Sequence, residues 1–264
     1  MSFFFCTFAR NFVVMMKKSF IFAIIIGIAG VFSACGTSAQ KEMSAGTVSL
    51  DTINGIPCRV YVPEKYAERV DEVFPVLYLQ HGMWGNEHDW TEKGRLVPIM
   101  DSLLRLGAIR EMVVIMPDNC PSRPNYEEER ENAMSGFWEE QFAMFMAESE
   151  SRYRIYAQPE KRAIAGLSMG GYHTMMVSSV YDGQFAYVGM FSPATIRNIS
   201  APSSARVLWL GIGTEDFLYN DVQAYRKMLE EQHIEYTYFE STGGHDWPNW
   251  QDYITRFLPK LFKE

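Results

Sequence analysis

The sequence predicts an α/β fold in which one mainly parallel β-sheet is covered on both faces by helices. Three observations predict it. Short apolar runs without polar alternation recur after residue 70, the pattern of strands buried on both faces. Segments of helical periodicity lie between these runs, and strand–helix alternation favours parallel crossovers. At 264 residues, 47% hydrophobic and 21% charged, the chain suits one large packed domain and not a disordered one.

The elements follow in order. Thr47–Thr52 and Ile56–Val62 are two strands joined through Asn54-Gly55, a dipeptide that accepts the positive φ angles of a tight hairpin. Val73–Leu79 and Glu111–Met116 are continuous apolar runs, ending in Gln80-His81-Gly82 and Pro117-Asp118-Asn119. Arg162–Ala165, Ala186–Phe191, Arg206–Gly211 and Glu235–Phe239 complete the strands. Helices are expected at Leu96–Leu106, Asn132–Tyr153, Met169–Tyr181, Asp221–Gln232 and Trp247–Phe262. In the second of these, Met134, Phe137, Trp138, Phe142, Phe145 and Met146 recur at helical spacing. Asn119–Glu131 contains proline, is rich in acids, and is expected as a surface loop near the site.

Residues 1–34 read as an export signal. Lys17 and Lys18 precede the apolar run Phe20–Phe32, which is too short to span a bilayer but fits a signal core. Translation starting at Met16 would make that signal ordinary in form. Phe32-Ser33-Ala34-Cys35 resembles a bacterial lipoprotein box, so Cys35 is the expected lipid attachment site and the membrane an expected partner. Cleavage after Ala39, giving a soluble exported protein, is the alternative. Residues 35–45 read as a tether and 46–264 as the functional domain. The net charge is −8 and becomes −11 once residues 1–34, with three bases and no acid, are removed. Such a surface repels phosphate, which excludes a nucleic-acid partner. Cys58 and Cys120 can at most form one bridge, and no clustered His/Cys spacing predicts a metal.

The chemistry begins at Gly166-Leu167-Ser168-Met169-Gly170-Gly171, a G-x-S-x-G pattern between a predicted strand and a predicted helix. In that context the serine sits on a tight turn, glycines let the backbones pass, and the helix N-terminus favours developing negative charge. The pattern resembles the nucleophile elbow of the α/β-hydrolase fold, which is therefore the expected architecture. A serine hydroxyl needs a base. His245, in Gly243-Gly244-His245-Asp246-Trp247, follows the serine in chain order and sits in a loop before the last helix. His173 lies on the serine's own helix and is expected to pack. His81 ends a strand before a glycine and is expected to shape a loop, while His88 and His233 fall on the surface. An acid that orients His245 should lie between serine and histidine. Asp216 is favoured, with Glu215 and Asp221 as rivals. An oxyanion hole needs two backbone N–H donors, expected from Met83 and Met169.

Together the segment His81–Trp90, the elbow, Gly213-Thr214-Glu215-Asp216 and Gly-Gly-His-Asp-Trp resemble the putative-esterase family of the α/β-hydrolase superfamily. That family includes feruloyl esterases, acetylxylan esterases of carbohydrate esterase family 1, S-formylglutathione hydrolase and the antigen 85 acyltransferases. The resemblance spans about residues 45–262. It implies Ser168, Asp216 and His245 as a triad, Met83 and Met169 as oxyanion donors, and no cofactor. It implies hydrolysis of a carboxylic ester through an acyl-enzyme. For an exported protein, feruloyl or acetyl esters of plant polysaccharide or its fragments are the expected substrate. Trp84, Trp247 and Trp250 can offer aromatic surface to a sugar or a hydroxycinnamoyl ring, or can simply be core residues. Acyl transfer, thioester or siderophore-ester hydrolysis and peptidase action share the same first step. From another class, a catalytically silent glycan-binding protein on this scaffold would be expected to lack a triad member.

Overall fold

A computed structural model describes residues 46–120, 128, 131, 135–194 and 201–263. The expected export signal, Cys35, the tether and most of the Asn119–Glu131 loop lie outside these residues. A single sheet of eight strands organises the described part, in the order β1-β2-β4-β3-β5-β6-β7-β8. The strands are β1 Thr47–Ile53, β2 Ile56–Val62, β3 Val76–Gln80, β4 Val113–Pro117, β5 Arg162–Leu167, β6 Tyr187–Phe191, β7 Val207–Gly213 and β8 Thr237–Ser241. β1 and β2 run antiparallel, β2 pairs antiparallel with β4, and every pairing from β4 to β8 is parallel. The hairpin turns at Asn54 (φ 49°) and Gly55 (φ 74°), as a tight two-residue turn requires.

Helices α1 Asp89–Glu92, α2 Leu96–Arg105, α3 Phe137–Arg152, α4 Met169–Val180, α5 Tyr219–Glu231 and α6 Trp247–Phe257 cover the sheet. Side-chain alternation along the strands builds two cores. Val76 and Tyr78 of β3, with Ile164, Val188 and Leu210, bury themselves with Phe142 and Phe145 of α3, Met175 of α4 and Leu229 of α5. Leu77 and Leu79, with Ala163, Ala165 and Trp209, pack on the other face with Leu96 and Met100 of α2 and Tyr253 and Phe257 of α6. Both faces of β3, β4 and β5 are therefore fully buried, and this is why their sequences show no polar alternation.

Several boundaries differ from the sequence expectation. The run expected from Val73 begins its ladder only at Val76. Pro75 has no N–H to donate, and Phe74 makes only an isolated bridge to Ile155. The helix expected from Asn132 starts, as described, at Phe137 after Gly136 at φ 81°. The last helix was expected to reach Phe262 but ends at Phe257 and passes into a 3₁₀ turn, Leu258–Lys260, because Pro259 cannot continue the hydrogen-bond ladder. The expected helix from Asp221 begins two residues earlier, at Tyr219. The short helix α1 carried no sequence signal. Cys58 and Cys120 are both buried and not joined in a disulfide.

Candidate active site

Ser168 stands between the end of β5 and the start of α4 with φ 53° and ψ −117°, a backbone conformation that is costly for a residue with a side chain. Three hydrogen bonds hold it there. Its N–H donates to the Phe191 carbonyl at 2.9 Å, and its carbonyl accepts from the N–H groups of Tyr172 and Ala194 at 3.0 Å each. The flanking glycines are required by space. A Cβ on Gly166 would lie 2.4 Å from the Gly170 carbonyl oxygen, and one on Gly170 only 2.3 Å from the His81 carbonyl oxygen. The elbow is thus wedged between its own helix and the end of β3.

His245 reaches this serine across the sheet. Its Nε2 lies 2.8 Å from Ser168 Oγ, and its Nδ1 lies 2.8 Å from Asp216 Oδ2. The carboxylate can only accept, so the Nδ1–H points at Asp216 and the unprotonated Nε2 faces the serine hydroxyl. Asp216 is almost fully buried, and its Oδ1 accepts from the Leu218 N–H at 2.9 Å. Burial alone would raise its pKa. The hydrogen bonds from His245 and from the Leu218 N–H outweigh burial and hold it below the ordinary carboxylate value. Glu215 is exposed and Asp221 lies on the exposed side of α5, so neither takes this place. The loop that carries His245 is tied down behind it. The side chain of Asp246 caps α6 by accepting from the Asn249 N–H at 3.2 Å. The buried Asn249 amide donates to the Gly244 carbonyl at 2.8 Å and accepts from Ser241 Oγ at 3.0 Å.

The loop after β3 forms the opposite wall. The Met83 side chain packs with Met169 and Cys120, bringing the two expected oxyanion residues together. Met169 is the first residue of α4, a position whose N–H has no acceptor within the helix. The buried His81 ring anchors this loop. Its Nδ1 donates to the Gly82 carbonyl at 2.7 Å, and its Nε2 lies 3.1 Å from Asp118 Oδ1 beyond β4. The indole N–H of Trp90 secures the Gln80 carbonyl at 2.9 Å.

The other histidines lie apart from this centre. His173 is buried on α4 with its Nδ1 3.1 Å from Glu139 Oε1, His88 pairs with Glu87 and Glu92, and His233 is exposed. The three tryptophans separate. Trp250 is buried, with its ring edge-on to His245 at 5.0 Å, and acts as scaffold. Trp247 is half-buried between Trp90 at 5.5 Å and Trp250 at 5.2 Å. Trp84 is 64% exposed beside Met83, at φ 58°. Sequence reasoning missed Phe217 and Asn249. Phe217 is 75% exposed, and its ring centroid lies 4.5 Å from that of His245. Its only sequence signal was a large apolar residue directly after a candidate acid. Among the described residues no group of three or more His, Cys, Asp or Glu is placed to hold a metal ion.

The chain is 26% identical over 236 residues to an endo-1,4-β-xylanase/feruloyl esterase of Xylanibacter ruminicola, covering 83% of this chain and 30% of that protein. It is 26% identical over 244 residues to an acetyl esterase of Caldicellulosiruptor saccharolyticus, covering 76% of this chain and 88% of that one. It thus spans under a third of the first relative and most of the second. A CE1 ferulic acid esterase of the anaerobic fungus Anaeromyces mucronatus shares its fold, with a TM-score of 0.71, 22% identity, and coverage of 84% of this chain and 93% of that chain. The same fungal enzyme in complex with ferulic acid matches with a TM-score of 0.69 at the same identity and coverage. The shared architecture is the α/β-hydrolase fold. The family model described as "Putative esterase" matches residues 52–261, and the chain belongs to that family.

Proposed function

We propose that this protein is a serine carboxylic-ester hydrolase that works through an acyl-enzyme on Ser168. The observation that carries the proposal is the unbroken relay from Ser168 Oγ through His245 to the buried Asp216, with two contacts of 2.8 Å. His245 Nε2 takes the hydroxyl proton as Ser168 Oγ bonds to the ester carbonyl carbon. The carbonyl oxygen becomes an oxyanion, stabilised by the N–H groups of Met83 and Met169. The C–O bond to the alcohol then breaks, and the imidazolium gives its proton to the leaving oxygen. Water, deprotonated by the same histidine, attacks the acyl carbon, the bond to Ser168 Oγ breaks and releases the carboxylic acid, and the imidazolium gives its proton back to Ser168 Oγ. Asp216 keeps the proton on Nδ1 and balances the imidazolium charge.

Feruloyl or acetyl esters of plant polysaccharide or its fragments are the proposed substrates. The names of the xylanase/feruloyl esterase, the acetyl esterase and the ferulic acid complex support this class. The complete serine–histidine–acid geometry speaks against a catalytically silent glycan-binding protein. A fluorophosphonate probe tests the mechanism. It should label the wild type on Ser168, and Ser168→Ala should lose both labelling and about 10⁴-fold or more of the esterase rate while keeping its fold. Esterase activity near wild type in that variant would overturn the assignment.

The sequence around Cys35 supports export as a membrane-anchored lipoprotein. Cys35→Ala should move the protein from the membrane fraction to the soluble one. A mature N-terminus at Gln40 would show plain secretion instead.

A further inference from the structure

We propose that Phe217 is the platform that holds the departing sugar of the polysaccharide ester while the bond to it breaks, an inference that rests on the function proposed above. The placement follows from proton bookkeeping. When the tetrahedral intermediate collapses, the proton on His245 Nε2 passes to the ester oxygen of the departing alcohol. That oxygen must come within hydrogen-bond reach of the ring, so the alcohol lies against His245 and not against the oxyanion loop. Two aromatic rings flank His245. Trp250 is buried and edge-on at 5.0 Å, so its faces are already used in packing. Phe217 lies tilted by 51° at 4.5 Å and remains 75% exposed, an apolar surface held in water beside the reacting atoms.

The exposed chain neighbours of the ring are polar. Thr214, Glu215 and Asn220 are all exposed close to Phe217 in the chain, on the loop between β7 and α5 and at the start of α5. An exposed aromatic ring with exposed polar residues next to it in the chain is amphipathic ground. It suits a sugar, which lays its C–H face on the ring and turns its hydroxyls toward polar neighbours and water.

The acyl-enzyme provides the test. Two esters of the same acid form the same acyl-enzyme, so any difference between them arises where the alcohol is still present. Wild type, Phe217→Ala and Phe217→Tyr are compared on methyl ferulate and on a feruloyl arabinofuranoside, or on methyl acetate and an acetyl xyloside if the wild type prefers acetate. The expected result is that Phe217→Ala lowers the ratio of kcat/KM for the sugar ester over the methyl ester by about tenfold, and that Phe217→Tyr restores it. Acyl transfer to added free sugar, measured against transfer to methanol, should fall in the same proportion, because it is the reverse of the same step. A loss shared equally by both esters would overturn the inference, leaving Phe217 as packing for His245. So would an unchanged ratio. A wild type that hydrolyses neither pair defeats the substrate class proposed above, and the wild-type measurement alone reveals that.

Discussion

Replacing Asp216 by Asn separates the two adjacent acids at the end of β7. The two carboxylate oxygens of Asp216 have different tasks: Oδ1 accepts from the Leu218 N–H at 2.9 Å and Oδ2 from His245 Nδ1 at 2.8 Å. An asparagine must divide an oxygen and an NH₂ between those positions. The Leu218 N–H is a backbone donor that cannot change sign, so the amide oxygen belongs there and the NH₂ turns to His245. Nδ1 must then accept, its proton moves to Nε2, and Nε2–H faces a serine hydroxyl from which it can no longer take a proton. The negative charge that balances the imidazolium is lost as well. A kcat loss of roughly 10²–10⁴ is expected, about 3–5 kcal/mol in the barrier, with the fold retained. Glu215→Gln should change kcat by less than about tenfold, because the Glu215 side chain is exposed and its backbone N–H keeps its bond to the Gly243 carbonyl at 3.0 Å. The assay is kcat on a p-nitrophenyl ester for both variants, with circular dichroism and thermal melting as controls for folding. A larger effect from Glu215 than from Asp216, in two folded variants, would refute the reasoning.

Two further outcomes are expected. Gly170→Ala would set a methyl group 2.3 Å from the His81 backbone oxygen, which no side-chain rotation can relieve. It should cost on the order of 1–3 kcal/mol of stability and lower kcat together with the melting temperature, and a wild-type melt with wild-type rate would show that the elbow is looser than its geometry. The second concerns acid. At Asp51 burial pushes the pKa up, but hydrogen bonds from Tyr153 and the Thr52 N–H and the charge of Arg152 bring it below its ordinary 3.8, and Asp216 is lowered too. Because both folded values are depressed, the stability they contribute is fully present above about pH 3.8 and is lost as pH falls below it toward the folded values. Asp51→Asn should therefore flatten the acid limb of a stability-against-pH curve, and an unchanged limb would remove Asp51 from the account.

The elements most legible in the sequence were those whose cause is local. The hairpin at Asn54-Gly55 was readable because a two-residue turn needs positive φ at both positions, and the elbow because its glycines must adjoin the strained serine in the chain. The buried strands were readable because helices on both faces leave no polar side to alternate with. The boundaries near Pro75, Gly136 and Pro259 were less legible, since periodicity continues past the residue whose backbone ends the element. Which acid meets His245 was a different kind of question. Glu215 and Asp216 are neighbours of similar chemistry, and only the path of the chain leaving β7 turns one into the interior and the other into solvent. The meeting of Ser168 and His245, 77 residues apart, depends on β5, β6, β7 and β8 lying side by side so that their C-terminal loops converge. Sequence periodicity can announce each strand but not the order in which they lie. Phe217 and Asn249 were invisible for a further reason. An apolar ring or an amide carries no motif of its own, and its task is set wholly by what the fold places against it. Fold class, the strained turn and the residue types able to do the chemistry can be read along the chain. Which of those residues touch is set by strand order and loop path, because contact across a sheet does not follow from spacing along the chain.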